Sequence, residues 1–461
     1  MIVAGVVVGS LVVGAFLLLS GCGEASDDPA SRTAASPAEV APSSTAPATS
    51  PTTSVATHTP HSTAATTTSS AATNLPNLVV DEVDTVLSEM TLEDKVGQLF
   101  VVEVFGESAN DEDSRNRDAY GVDTPAEIIE DLDVGGVLYF ADNIANPLQV
   151  ATLSNDLQTA AAAGSGIGLL IAADQEGGRV ARIREPATVF PPALTFGEAD
   201  TVDLTGRAAQ ATATELRAMG INQVYAPVAD VVAEPESQII GDRSYGSDPG
   251  RVAEHTAAAT QGFEAGSVAA TAKHWPGHGN TPTDSHVELA VIDIDRETWE
   301  SVDRPPFEAA ISAGIPAVMV GHIEITAVGG PGPATLSQTM IETELREVLG
   351  FDGLVVTDAL RMDGVRNSAS DADIAVRAIQ AGADMLLLPF DFHVAREAVI
   401  EAVEAGTISE ARLDESVTRI LNLKQALGVL SPPIVDLDAV GDVVGQPAHT
   451  EINEAVRRQA P

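Results

Sequence analysis

The stretch Lys273-His274-Trp275-Pro276-Gly277-His278-Gly279-Asn280-Thr281-Pro282-Thr283-Asp284-Ser285-His286 brings a cation, three imidazoles and a carboxylate into fourteen residues. Proline and glycine punctuate it, so it reads as a shaped loop that presents polar groups, not as part of a core. His286 stands two residues after Asp284. A carboxylate that holds one imidazole nitrogen fixes the tautomer and keeps the other nitrogen basic, which suits proton transfer near neutral pH, although ordinary surface loops show the same spacing. Asp358 ends the apolar run Leu354-Val355-Val356-Thr357. A carboxylate there can serve as nucleophile, general base or metal ligand, or cap the segment that follows. Asp174 and the Gly177-Gly178 pair suggest a carboxylate accepting two ligand hydroxyls, with glycines letting backbone come close; Arg182, Arg243, Lys273 and His274 would supply donors. Zinc is a second reading of His274, His278, His286 and His322. Pro276 and Gly277 remove the helical two-histidine geometry, the lone cysteine is Cys22, and no metal or other cofactor is expected.

Residues so far apart need a scaffold that gathers them. Eight apolar runs read as strands buried on both faces: Leu99 to Val104, Gly136 to Phe140, Gly168 to Ala173, Gln223 to Val228, Val268 to Ala272, Ala317 to Val320, Leu354 to Thr357 and Met385 to Leu388. Helical patterns separate them, among them Ala208 to Met219, Val252 to Ala265, Trp299 to Ala313, Met340 to Leu349 and Ala372 to Ala381. Gly220, Gly266, Gly314, Gly350 and Gly382 stand where left-handed caps would stop those helices. This alternation predicts an α/β fold, a (β/α)8 TIM barrel as a single catalytic domain over 77–430. The alternative, a doubly wound open sheet, lacks a Gly-x-Gly-x-x-Gly turn after the first strand. The polar clusters at Asp174, Asp230, Lys273-His274, Gly321-His322 and Asp358 all follow strand candidates, and a barrel brings such ends to one mouth. Helices His393 to Ala405 and Glu410 to Leu427 should close the barrel, leaving 431–461 as a C-terminal tail that ends in a short helix.

Composition bounds the rest. Residues 2 to 19 are nearly all apolar and lead into Leu19-Ser20-Gly21-Cys22, which resembles a bacterial lipobox. This predicts a signal peptide over 1–22 with Cys22 as lipidation site; an uncleaved membrane anchor is the other reading. Residues 23–76 are dominated by Ala, Ser, Thr and Pro and read as a disordered tether. The expected location is the outer face of the cell membrane, lipid-anchored. A formal charge of −43 makes nucleic acid an improbable partner. Only three lysines occur, Lys95, Lys273 and Lys424, which sets Lys273 apart from incidental surface charge.

Taken together these stretches resemble glycoside hydrolase family 3, in its single-domain β-N-acetylglucosaminidase branch. The likeness runs from about Leu87 to Leu427. It is carried by Gly135-Gly136-Val137-Leu138-Tyr139-Phe140, Asp174-Gln175-Glu176-Gly177-Gly178-Arg179-Val180, Gly241-Asp242-Arg243-Ser244-Tyr245, the loop from Lys273 to His286, Pro333-Ala334-Thr335-Leu336-Ser337 and Thr357-Asp358-Ala359-Leu360-Arg361-Met362. Trp275 stands where the family often has Phe. The resemblance implies Asp358 as nucleophile, His286 paired with Asp284 as acid/base, and Asp174, Arg182, Arg243, Lys273 and His274 as ligands of a terminal sugar. It further implies a monomeric, retaining exo-β-N-acetylglucosaminidase acting on cell-wall muropeptides or chitooligosaccharides, its substrate being an N-acetylglucosamine-containing glycan. Three alternatives use the same residues: a phosphorylase, a family 3 β-glucosidase, and a non-catalytic sugar-binding lipoprotein.

Overall fold

The computed structural model describes residues 80–232, 237 and 239–460. The expected signal peptide, Cys22 and the tether lie outside the described residues. Two helices open the described chain, Val80–Glu89 and Leu92–Gln98. Thr91 caps the second, its hydroxyl accepting from Asp94 N–H while the Asp94 carboxylate accepts from Thr91 N–H.

Eight parallel strands follow: β1 (Phe100–Glu103), β2 (Gly136–Tyr139), β3 (Leu170–Ala173), β4 (Gln223–Val224), β5 (Ala269–Trp275), β6 (Ala317–Val320), β7 (Leu354–Thr357) and β8 (Leu386–Leu387). Each pairs with the next in chain order from β1 to β7, and β8 pairs with β1. The seam between β7 and β8 is made by one bridge, Val356 with Met385. There Asp384 and Met385 N–H donate to Val355 O, and the buried Asp384 carboxylate accepts from Val355 N–H. The result is an α/β parallel sheet nearly closed into a barrel. Buried on both faces, its strands carry the uninterrupted Val, Ile and Ala runs that made them legible in sequence.

The helices agree with expectation in place but not in every detail. The segment expected as one helix from Trp299 to Ala313 is two, Arg296–Val302 and Pro305–Ser312. Pro305 and Pro306 lack the N–H groups that a continuous helix would need, and each fits only a first turn. Four of the expected glycine stops take positive φ; Gly266 does not (φ −89), and Ser267 takes the left-handed turn at φ 61. Residues Thr339–Val348 are wound as a π-helix.

The C-terminal segment packs against the barrel's helices. Helix Pro447–Gln459 buries Ile452 and Val456 against helices Val202–Ala218 and Ala193–Ala199. Buried Glu215 accepts from Thr188 N–H and hydroxyl (2.8 Å each), Gly445 N–H (3.1 Å) and the His449 ring (2.6 Å), tying that segment to the loop after Arg182.

Lys424 is fully buried, and its ammonium donates to Gln98 Oε1; burial alone pulls its pKa down to about 7. The unfolded chain therefore binds the extra proton between roughly pH 7 and 10.4, and stability should rise with pH across that window. Lys424→Met is expected to raise the melting temperature at neutral pH and to flatten this dependence. Thermal melts of both chains from pH 6 to 10 test it.

Candidate active site

The carboxyl ends of the strands open into a cavity of about 240 Å³. Seven of the eight sequence-predicted residues line it: Asp174, Arg182, Arg243, Lys273, His274, His286 and Asp358. The eighth, Asp284, stands behind His286.

One wall is a buried ion cluster. Gln175–Gly177 and Val180–Ala181 form a small hairpin after β3 that carries Asp174 at its root and Glu176 within it. Lys273 Nζ donates to Asp174 Oδ1 (2.9 Å) and Glu176 Oε1 (2.6 Å). Arg243 closes on Glu176 through Nε and Nη2, both at 2.8 Å, and Arg182 Nη2 reaches Asp174 Oδ2 at 3.5 Å. Burial pushes the Glu176 carboxyl up, but Lys273 and Arg243 more than offset it and hold it at about 2. Burial likewise pulls Lys273 down, and Asp174 with Glu176 lifts it above its usual value, so Lys273 and Glu176 face each other as an ionised pair. An ammonium has three donors and Lys273 has committed two, leaving one for a ligand. The Arg243 fork is taken up by Glu176.

Gly177 and Gly178 do not bring backbone to a ligand, as expected from sequence. Both adopt positive φ (94° and 56°), and a Cβ on either would come within 2.7 Å of Pro191 O or Pro192 Cβ. They let the hairpin turn against its own following segment, where Gly178 N–H donates to Phe190 O.

A second anchor lies beneath the loop after β5. Fully buried Asp230 accepts from His274 N–H, His278 N–H (2.8 Å) and His274 Nδ1 (2.7 Å). Burial raises its carboxyl, and the two histidines and these hydrogen bonds bring it below the ordinary value. With Nδ1 held by an ionised carboxylate, His274 turns Nε2 toward the cavity. His278 does not line the cavity; its Nε2 meets Ser285 Oγ at 2.9 Å and pins the far end of the loop. His322 is also structural, bound through Nδ1 to Thr335 Oγ1 and through Nε2 to Ala359 O. The rings of the four candidate zinc ligands, His274, His278, His286 and His322, thus each bond different partners. Among the described residues no three His, Cys, Asp or Glu side chains converge in a metal-holding group.

Asp358 follows β7. Its N–H donates to Val320 O and its Oδ1 accepts from Ala359 N–H (2.8 Å). It caps no helix, because the next one, Asp363–Arg366, begins after Met362. Burial pushes its carboxyl up, but His274, His322, the Ala359 N–H and His286 together hold it below the usual range. His286 is 65 % exposed in its side chain, and its Nδ1 meets Asp284 Oδ1 at 2.8 Å. The same Asp284 oxygen accepts from His286 N–H, so the pair is fixed at backbone and ring. Asp363 N–H donates to His286 O and Gly364 N–H to Ser285 O, which joins this loop to the segment that begins at Asp358.

Chemically, the cavity offers an ionised carboxylate at a strand end, an imidazole with one free nitrogen, and a wall of fixed charges suited to hydroxyl groups. The family model for the glycosyl hydrolase family 3 N terminal domain matches residues 91–423. The chain belongs to glycosyl hydrolase family 3. β-Hexosaminidase A of Pseudoalteromonas piscicida is 35 % identical over 71 % of this chain, which spans 58 % of that enzyme's length. A β-hexosaminidase of Nitrosomonas eutropha is 35 % identical over 61 % of this chain and 81 % of its own. Among solved structures, a family 3 β-N-acetylglucosaminidase from Paenibacillus sp. str. FPU-7 superposes with a TM-score of 0.75 at 40 % identity, covering 80 % of this chain and 69 % of that one.

Family 3 membership frames what sequence reading missed. Glu176 and Asp230 were visible only as acids near strand ends, without partners; Arg361, which lines the cavity and pairs with Glu103 at the end of β1, was not singled out. Glu176→Gln would leave buried Arg243 without its carboxylate and Lys273 with Asp174 alone, and is expected to destabilise the fold by about 3–5 kcal/mol. A carboxylate depressed in the fold stabilises above its unfolded pKa, so wild type should lose this contribution as pH falls from about 4.5 toward 2, and the variant should not. Urea unfolding at pH 7 and pH 3 measures both effects.

Proposed function

We propose that the chain is a β-N-acetylhexosaminidase, a retaining exo-β-N-acetylglucosaminidase that removes terminal β-linked N-acetylglucosamine from cell-wall muropeptides or chitooligosaccharides. The observation that carries this is the meeting of Asp358 and the Asp284–His286 pair at one cavity that the Lys273–Glu176–Arg243–Asp174 cluster also lines. Its similarity to named β-hexosaminidases and to a β-N-acetylglucosaminidase structure supports the choice of sugar.

Asp174, Arg182, Lys273 and His274 bind the terminal sugar, and Arg243 contributes at the same wall while holding Glu176. Ionised Asp358 attacks the anomeric carbon while the imidazolium of His286 gives its Nε2 proton to the leaving oxygen. The glycosyl–Asp358 ester is then cleaved by water, from which neutral His286 takes a proton, restoring both groups with retention at the anomeric centre. Asp284 keeps Nδ1–H engaged, so that Nε2 is the nitrogen that exchanges protons. The same reading makes the chain a lipoprotein anchored through Cys22 at the outer face of the cell membrane. Cys22→Ser should then shift the protein from the membrane to the soluble fraction, and an unchanged distribution would refute the anchor.

A 2-deoxy-2-fluoro glycosyl donor is expected to label the peptide containing Asp358; labelling at another residue removes the nucleophile assignment. His286→Ala should lower kcat about 10²–10⁴-fold on natural glycans and less on nitrophenyl β-N-acetylglucosaminide, whose leaving group needs little protonation. Running that assay with and without phosphate separates free sugar from sugar 1-phosphate as product.

A further inference from the structure

Tyr225 follows β4 directly and lines the same cavity as Asp174 and Asp358. The residue is 1 % exposed, and among the described residues its phenol oxygen is buried with no hydrogen-bond partner. Buried hydroxyls are almost always paired, because an unpaired one is a net loss to the folded state. Phenylalanine would fill the space without that loss, so the resting fold gives the oxygen nothing to do. Of the buried polar atoms without a partner among the described residues, only this phenol and Arg182 Nε belong to side chains that line the cavity.

The surrounding groups indicate what the phenol is for. Burial first, then Asp174 and Asp358, push its pKa upward, so it stays protonated and acts as a neutral donor. Neighbouring donors are largely engaged: Lys273 by Asp174 and Glu176, Arg243 by Glu176, Ala359 N–H by Asp358. The carboxylates lining this cavity accept when ionised, so they take sugar hydroxyls as donors and leave the sugar's own acceptor oxygens to the few donors not already engaged. We infer that Tyr225 is a substrate-binding residue whose phenol O–H donates to an acceptor oxygen of the bound sugar, on the wall it shares with Asp174 and Asp358. This rests on the glycosidase reading of the site. The hydroxyl is unpaired in the free enzyme and paired in the complex, so binding relieves a local cost of folding and the contact favours occupied over empty cavity.

Tyr225→Phe in the full chain tests this, since it removes one oxygen and keeps the ring. The melting temperature should stay level or rise, while kcat/KM on nitrophenyl β-N-acetylglucosaminide falls roughly 10- to 100-fold, the range expected for a buried donor–acceptor pair left half made. Calorimetric affinity for N-acetylglucosamine should fall in step. A kcat/KM within twofold of wild type overturns the inference. So does a melting temperature that drops together with activity, because the oxygen would then have a partner in the resting fold. If wild type hydrolyses nothing, the glycosidase reading fails; the calorimetric comparison still decides Tyr225, and equal affinities, or no binding by either chain, count against it.

Discussion

Charge removed from water has to be compensated where it stands, and the cavity is built around that constraint. Glu176 and Lys273 are almost completely buried, and Arg243 nearly so, in side chains drawn from three separate parts of the chain. None of these charges is tolerable without the others, since a buried pair broken on one side leaves a desolvated charge with nothing opposite. The hairpin after β3, the end of β5 and the turn that carries Arg243 are therefore fixed relative to one another. Asp174 shares Lys273 with Glu176 but is more exposed, so the inner carboxylate is structural and the outer one is presented to the cavity.

The loop after β5 carries the same logic from the buried interior out to solvent. Lys273, His274, His278 and Ser285 are buried and held by Asp174, Glu176, Asp230 and each other. One residue further, His286 is mostly exposed. The groups proposed to bind sugar sit on the buried part, where a precise position serves recognition; the imidazole proposed to exchange protons sits where solvent reaches it. The backbone bonds from Asp363 and Gly364 to this loop mean that it cannot move freely of the segment beginning at Asp358. The two groups proposed to act on one glycosidic bond are joined by a short backbone path as well as by facing one cavity.

Much of this was legible in the chain. All eight strands fall where apolar runs place them, because a strand buried on both faces has no polar alternation to confuse the reading. The departures have identifiable causes. The apolar pattern continues across Pro305-Pro306, but the prolines can only begin a helix, so the break falls at Asp303–Arg304. The glycines at 177 and 178 were read as room for a ligand, whereas the room is taken by Phe190 to Pro192. Glu176 and Asp230 have no local signature because their partners lie tens of residues away, and a buried acid looks like an exposed one until the fold surrounds it. Scarce lysine pointed to Lys273, but it pointed equally to Lys424, buried at Gln98 and away from the cavity. Two of the three lysines are buried, and only their neighbours separate chemistry from packing.

The choice of histidine as the proposed acid follows from the same electrostatics. Asp174, Glu176 and Asp358 already place three carboxylates around the cavity. A carboxylic acid that gave up its proton would put a new negative charge there as Asp358 loses its own in becoming an ester. An imidazolium that gives up its proton becomes neutral instead. Once Asp358 has become an ester, the neutral ring that gave up its proton is the group placed to take one from water, so on the proposed mechanism a single imidazole serves as acid in the first half of the cycle and as base in the second.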